Sequence, residues 1–421
     1  MDTKKWNWPR LRTSTIYPDV LAGLTVALVA LPFALAFGEA SGLGAHAGIT
    51  TAIIAGLLAA AFGGSRFQVS GPTGAMTVVL IPIYAQYGTT GVLFVGLFAG
   101  TLLILSGLLR IGRHVHRLPT SVIEGFTAGI ALVIAMQQIP AAFGVVVDPK
   151  PKVWETALDA ISTWLHNPDS TSLVMTLFVA ILVYIGNRLW ARVPVGMAVL
   201  LLATIAANVL QLKVAYVAEL PTNLGVFSFA FLGHSSNLVN LLIPSFIVAA
   251  LAALESLLSA KVADNMRGDG SQHNSDRELV GQGIANLVVP FFGGVPATAA
   301  LARTAVNVRS GAQTRLAAIL HSVFLAGIVL SLSSFVRLLP MPALAGVLLA
   351  TAGHMIKPSE LFRQGARSKL DGIVLLTTLF LTAVADLTTA LLVGAASWFL
   401  LSKTPLNGAL PPVDQTETLG D

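Results

Sequence analysis

Fourteen apolar runs divide the chain: residues 20–40, 47–63, 72–87, 91–110, 120–144, 172–189, 194–212, 238–262, 277–293, 297–310, 314–336, 342–356, 370–386 and 388–402. A helix crossing a ~30 Å hydrocarbon core needs about 20 residues. The third, tenth, twelfth and fourteenth runs are short for that. They read as half-helices, tilted segments or helices buried behind others. The third and tenth are also preceded by extended residues, Phe67–Ser70 and Gly293–Val295. Irregular backbone at membrane depth persists only where protein buries it or where it lines a cavity. Seven runs fall before about residue 213 and seven after it. An odd number per half forces the halves into opposite orientations, so the third and tenth runs occupy equivalent places. The pattern predicts an all-α polytopic membrane protein. Its 14 transmembrane segments form a 7+7 inverted repeat, residues 20–213 and 214–403, with half-helices in spans 3 and 10 preceded by short strands.

Composition agrees. The 421 residues are 55% hydrophobic and 11% charged, with mean hydropathy +0.78, against about 25% charged in soluble domains. There is no cysteine, hence no disulfide framework or thiolate metal site. The net charge of +5 matters less than its placement. With the N-terminus inside, 20 of the 25 Lys and Arg fall in cytosolic segments, four (Lys150, Lys152, Lys213 and Arg337) fall outside, and Arg303 lies within a span. This bias fits the positive-inside rule and places both termini in the cytoplasm. Residues 1–19, basic and aromatic with no cleavage site, read as a cytosolic arm at the interface. Residues 145–171 read as an outside loop with an interfacial helix, and the polar stretch 404–421 as a disordered tail.

Chemistry concentrates where the spans break. Arg303 is flanked by Leu301, Ala302, Thr304, Ala305 and Val306. A cation at a helix centre costs about 2.5–3.5 kcal/mol on insertion scales and needs a compensating role. It either supplies positive charge at an anion site or snorkels toward Arg309 and Arg315. SGPTGAM, residues 70–76, where Gly71 and Pro72 break the chain, reads either as a half-helix N-terminus whose free N–H groups suit an anion or as an ordinary Gly-Pro turn at a helix start. Glu255 is the one acid deep in the eighth span. It reads as a carrier of a coupling proton or cation, or as a structural carboxylate at a helix break. Phe33 and Phe37, four apart beside Pro32, form either an aromatic wall for a substrate or core packing. Glu39 reads as a solvated charge at the outer end. Ser275 and Glu278 read as a capping box opening the ninth span. His273 and Asp269 belong to a polar cytosolic loop. His114, His116, His321 and His354 sit at ends or alone. No HExxH, GxSxG or Walker pattern occurs, so catalytic residues, metal ligands and cofactors are expected to be none.

These stretches resemble the sulfate permease (SulP) family, bacterial relatives of the solute carrier 26 anion transporters. The resemblance is carried by DVLAGLTVALVALPFALAFGEASGL in span one and FGGSRFQVSGPTGAMTVV into span three. ALESLLSAKVADNMRGDGSQHNSDRELVGQGIANLVVPFFGGVPATAALARTAVNVRSGAQT carries it through spans eight to ten, and KLD at 369–371 and AD at 385–386 carry it to the end. It runs from about Asp19 to Lys403. It implies a core domain (spans 1–4 and 8–11) moving against a gate domain (spans 5–7 and 12–14). It also implies an anion site between the N-termini of spans three and ten. On this chain that site comprises Phe33, Phe37, Thr73, Ala302, Arg303 and Thr304, with Glu255 for the coupling ion. Phe33 stands where the family often has Gln, and Ala302 where it often has Ser. The match covers the membrane domain without the STAS domain into which family members usually continue.

The expectation is therefore a secondary active anion transporter of a bacterial inner membrane, not an enzyme. Proton- or Na⁺-coupled symport of sulfate, bicarbonate or a small dicarboxylate is the leading reading. The alternatives are a nucleobase–cation symporter on the same fold and a passive anion channel. Expected partners are the small anion, H⁺ or Na⁺, the lipid bilayer and a second copy in a homodimer, with no nucleic acid.

Overall fold

The structure is a computed structural model and describes residues 13–112, 119–148, 150, 152–168, 170–190, 195–217, 227–234, 238–270, 272–356, 358–365, 367–385 and 387–401. The first part of the predicted arm, residues 1–12, and the predicted tail lie outside them.

The first half holds α1 (Thr13–Ala40), α2 (Ala45–Phe62), β1 (Ser70–Gly71), α3 (Gly74–Leu108), α4 (Thr120–Gln137), α5 (Ile139–Phe143), α6 (Val153–His166), α7 (Ser170–Leu189) and α8 (Val195–Val209). The second holds α9 (Leu242–Arg267), α10 (Ser275–Val288), β2 (Thr298–Ala299), α11 (Leu301–Arg309), α12 (Leu316–Val336), α13 (Met341–Met355), α14 (Pro358–Gly365), α15 (Lys369–Val384) and α16 (Leu387–Leu401). Each of the fourteen apolar runs falls on a helix. The third and fourth share α3, which breaks at Gly88 with φ 63° and ψ −168°, a conformation open to glycine. The fifth continues from α4 into α5. The stretch expected to hold an interfacial helix contains the amphipathic α6, and α14 is a short helix with no buried residue that hydropathy does not reveal. Helix α1 continues through Pro18 and Pro32 and starts at Thr13, before the apolar run.

The helices pack in two groups. In one, α1 lies on α2 and α12, α2 on α10 and α12, and α3 on α9 and α10; in the other, α4 lies on α15, α7 on α8 and α13, and α15 on α16. Glycines set the approach. A Cβ on Gly48 of α2 would lie 2.0 Å from the Ala34 carbonyl oxygen of α1, and one on Gly100 of α3 would lie 2.5 Å from the Leu287 amide of α10. Such contacts replace the hydrophobic effect, which gives little drive between helices already in lipid. Large apolar side chains such as Phe178, Ile181, Ile205 and Phe380 are exposed on the rim.

Candidate anion site

Two irregular segments meet in the middle of the first helix group. β1 and β2 pair antiparallel, Ser70 with Ala299 and Gly71 with Thr298. Backbone in such a place needs partners for every N–H and C=O, and polar side chains from four helices supply them. Asn286 of α10 accepts from the Ala297 amide at 2.7 Å and donates to the Ala297 carbonyl at 2.8 Å. Thr51 of α2 donates to the Val295 carbonyl. Asn307 of α11 donates to the Phe67 carbonyl at 2.7 Å, and Thr304 Oγ1 accepts from the Val69 amide at 3.1 Å. Ser256 of α9 accepts from the Ala299 amide and contacts Thr298 Oγ1, while Ser259 donates to Thr304. Gln282 of α10 donates to Ser70 Oγ at 2.6 Å.

Both half-helices start from this strand pair. Thr73 caps α3, its hydroxyl accepting from the Met76 amide. α11 starts after Ala300, whose amide donates to the Val69 carbonyl and which has no side-chain cap. Leu301 and Ala302 at its first turn are exposed, whereas Arg303 and Thr304 are buried. Arg303 does not snorkel. Its Nη2 donates 2.7 Å to the carbonyl oxygen of Pro72, and its Nη1, fully buried, has no hydrogen-bond partner. Gly71 above it has φ 155°, and a Cβ there would lie 2.5 Å from Nη1. The guanidinium thus sits behind the strand pair rather than open to the space ahead of the helix ends.

The remaining predicted residues gather at the same place. Thr73 Oγ1 donates 3.1 Å to Glu255 Oε2, and the half-buried Glu255 and Arg303 act on each other electrostatically. Phe33 and Phe37 stack with centroids 6.1 Å apart. Phe37 is buried, and a Cβ on Gly74 would lie 3.2 Å from its ring; Phe33 is half-buried. The chain thus brings a cation, a carboxylate, two helix N-termini and two phenyl rings together. A separate cleft of about 260 Å³ lies further along α3, between Pro82, Gln86, Tyr87, Lys152 and Trp154, and includes none of these residues.

Two expectations need correction. Ser275 and Glu278 do not form a capping box. Asn274 caps α10 by accepting from the Arg277 amide. Buried Glu278 instead reaches across to the end of α2, where its Oε2 accepts from the Gly64 and Ser65 amides at 2.8 Å each. The Ser65 donor is buried and the Gly64 donor half-buried, a stronger demand than an exposed helix end. Glu39 is not simply solvated, since its Oε1 accepts from the Ala45 amide at the start of α2. Sequence reading passed over Ser256, Ser259, Gln282, Asn286, Thr298 and Asn307. One signal was visible: Glu278, Gln282 and Asn286 recur every four residues, a polar stripe on one face of an otherwise apolar helix.

Residues 16–378 match the sequence profile of the sulfate permease family. The chain belongs to the sulfate permease family. It is 35% identical over 389 residues to the Bacillus subtilis (strain 168) protein YvdB, named for sulfate transport, covering 91% of this chain and 72% of that one. It is 31% identical to the bicarbonate transporter BicA of Picosynechococcus sp., covering 91% of this chain and 70% of that one. The solved transmembrane domain of a cyanobacterial BicA superposes with TM-score 0.79 at 30% identity, over 90% of this chain and 98% of that one. The structure of SLC26A9 shares the fold, with TM-score 0.84 at 19% identity over 94% of this chain and 66% of that one. A member of the sulfate permease family is a membrane-embedded transporter, not an enzyme. The helices described above are its 7+7 inverted repeat, with β1–α3 and β2–α11 as the equivalent broken segments.

Proposed function

We propose that this chain is a secondary active transporter of a small oxyanion or carboxylate by alternating access. The anion sits ahead of the first turns of α3 and α11, against Phe33, Phe37, Thr73, Ala302 and Thr304. The observation that carries this reading is the convergence of two half-helix N-termini on one buried cation. Unpaired N–H groups and the positive end of each helix favour an anion there. Arg303 adds a full charge from behind the strand pair, where low dielectric strengthens its effect. Glu255 faces the same cation through Thr73, and its role is to hold the coupling proton or Na⁺ that offsets its own charge while the anion is bound. A nucleobase site would want a carboxylate where this chain has Arg303.

The two helix groups support the division of labour. α1–α3 and α9–α12, which hold the site, form the core domain; α4, α7, α8, α13, α15 and α16 form the gate past which it moves. Sulfate and bicarbonate are the substrates to test first, because the relatives YvdB and BicA are named for them. The placement is a bacterial inner membrane with both termini cytoplasmic, and the assembly is a homodimer. The test is uptake of labelled sulfate, bicarbonate and succinate into proteoliposomes, with and without imposed Na⁺ and pH gradients. Accumulation of one anion above equilibrium, driven by one of the gradients, is the expected result. Equilibration without accumulation would make the protein a passive channel.

A further inference from the structure

His321 of α12 is fully buried, and neither Nδ1 nor Nε2 has a hydrogen-bond partner. Buried polar groups are nearly always paired, so an imidazole with both nitrogens free calls for an explanation. Its position supplies one. A Cβ placed on Gly56 of α2 would lie 4.0 Å from His321 Cδ2, 2.7 Å from Ser322 Oγ and 3.1 Å from the Ser70 carbonyl oxygen. One turn earlier on α2, the Ala52 Cα lies 3.2 Å from a Cβ placed on Gly71, the same point that is 2.5 Å from Arg303 Nη1. The small residues Ala52 and Gly56 therefore leave room for the ring and the guanidinium along one side of α2, both against the strand pair. The adjacent β1 residues Ser70 and Gly71 link the two, the first facing Gly56 next to His321 and the second facing Arg303 Nη1.

The other charged groups around α12 are engaged elsewhere. On α1, Asp19 accepts from Gln313 and Thr314 ahead of α12. Arg315, just before α12, donates to the carbonyls of Ala61 and Gly63 at the end of α2. On α11, Arg309 is exposed at the far end of the helix. Glu255 of α9 faces Arg303 from the Thr73 side.

This arrangement bears on which anions the site takes, and the inference rests on the anion-site reading above. With the site empty, a proton on the fully buried His321 would be a desolvated charge with no anion to match it, in addition to Arg303. A monovalent anion is matched by Arg303 alone. A divalent anion brings a second negative charge that no other cation among the described residues meets, and unmatched charge in a low dielectric is costly. Its arrival turns a field that repels a proton at His321 into one that attracts it. We propose that His321 takes a proton from solvent, on its free Nδ1 or Nε2, when a divalent anion occupies the site, so that divalent anions bind with one proton more than monovalent ones do.

Isothermal titration calorimetry of the purified protein tests this. Sulfate serves as the divalent probe and formate as the monovalent one, each near neutral pH in two buffers of different ionisation enthalpy. The expected result is close to one more proton taken up per sulfate than per formate. His321→Gln should lose the extra proton taken up with sulfate and weaken sulfate about tenfold relative to formate. Glu255→Gln should keep that proton. If sulfate takes up no more protons than formate, if formate binds and sulfate does not, or if the extra proton disappears in Glu255→Gln and survives in His321→Gln, the inference fails while the site reading stands. No binding of either anion overturns the site reading and this inference with it. The native measurement decides even if His321→Gln does not fold.

Discussion

Arg303 Nη2 donates at 2.7 Å to the carbonyl oxygen of Pro72, tying the helix that opens in the second half to the break that opens α3 in the first. The bond holds a buried cation under both half-helix N-termini. It also pairs a carbonyl that Pro72, at a helix break, would otherwise leave free in the membrane interior.

Removing that cation should remove anion affinity. In Arg303→Ala the two helix ends remain, but Glu255 no longer has a cation facing it and repels the incoming charge. Affinity for the transported anion is expected to fall at least about a hundredfold, within the range seen when one partner of a buried charge pair is lost. Titration of purified variant and native protein in detergent, with thermal unfolding as the control for folding, measures it. Unchanged affinity would remove Arg303 from the site.

Gly71→Ala should disturb the same contact from the other side. The backbone there has φ 155°, and the new Cβ would stand 2.5 Å from Arg303 Nη1 and 3.2 Å from the Ala52 Cα. The side chain has to displace the guanidinium or part the strands. Anion binding is expected to drop with helical content retained, as circular dichroism will show. Gly293→Ala is the comparison. Its φ of 73° is also positive, but nothing lies within 4 Å of the added Cβ, so its cost is backbone strain without a clash.

Glu255→Gln keeps a side chain able to meet the Thr73 hydroxyl and loses only the charge. Coupling through this carboxylate predicts that the variant binds the anion but no longer accumulates it against a gradient. A neutral amide cannot release a proton and is a poorer ligand for a hard cation. Proteoliposome uptake under imposed Na⁺ or pH gradients reads the difference. Native gradient dependence in the variant would place coupling elsewhere.

Glu278→Ala should cost stability rather than affinity. It leaves the buried Ser65 amide, the half-buried Gly64 amide and the buried Gln282 side chain short of an acceptor. Each unmet group costs about 1–3 kcal/mol. A lower melting temperature in detergent, with anion affinity preserved in the folded fraction, is the expected outcome. Glu278→Gln should recover part of the loss, because its amide oxygen still accepts.

Hydropathy and charge by themselves determined the fourteen spans, their split into two inverted halves and the two broken segments. The reason is the bilayer: it allows few ways to hide a backbone, so an apolar run reads as a helix and a Gly-Pro break inside one reads as a site. Arg303 and Glu255 were legible for the same reason, as charges where charge is costly. What only the tertiary structure decided is which polar atoms face one another across more than two hundred residues of chain. Glu278 looked like a local cap because three-residue spacing is visible in sequence; its true donors, Gly64 and Ser65, belong to the turn after α2 and became close only on packing. His321 looked isolated because nothing near it in sequence is polar enough to notice. The fold set it across the small residues of α2 from Arg303, since helices that meet at glycine and alanine bring together side chains that no local pattern connects.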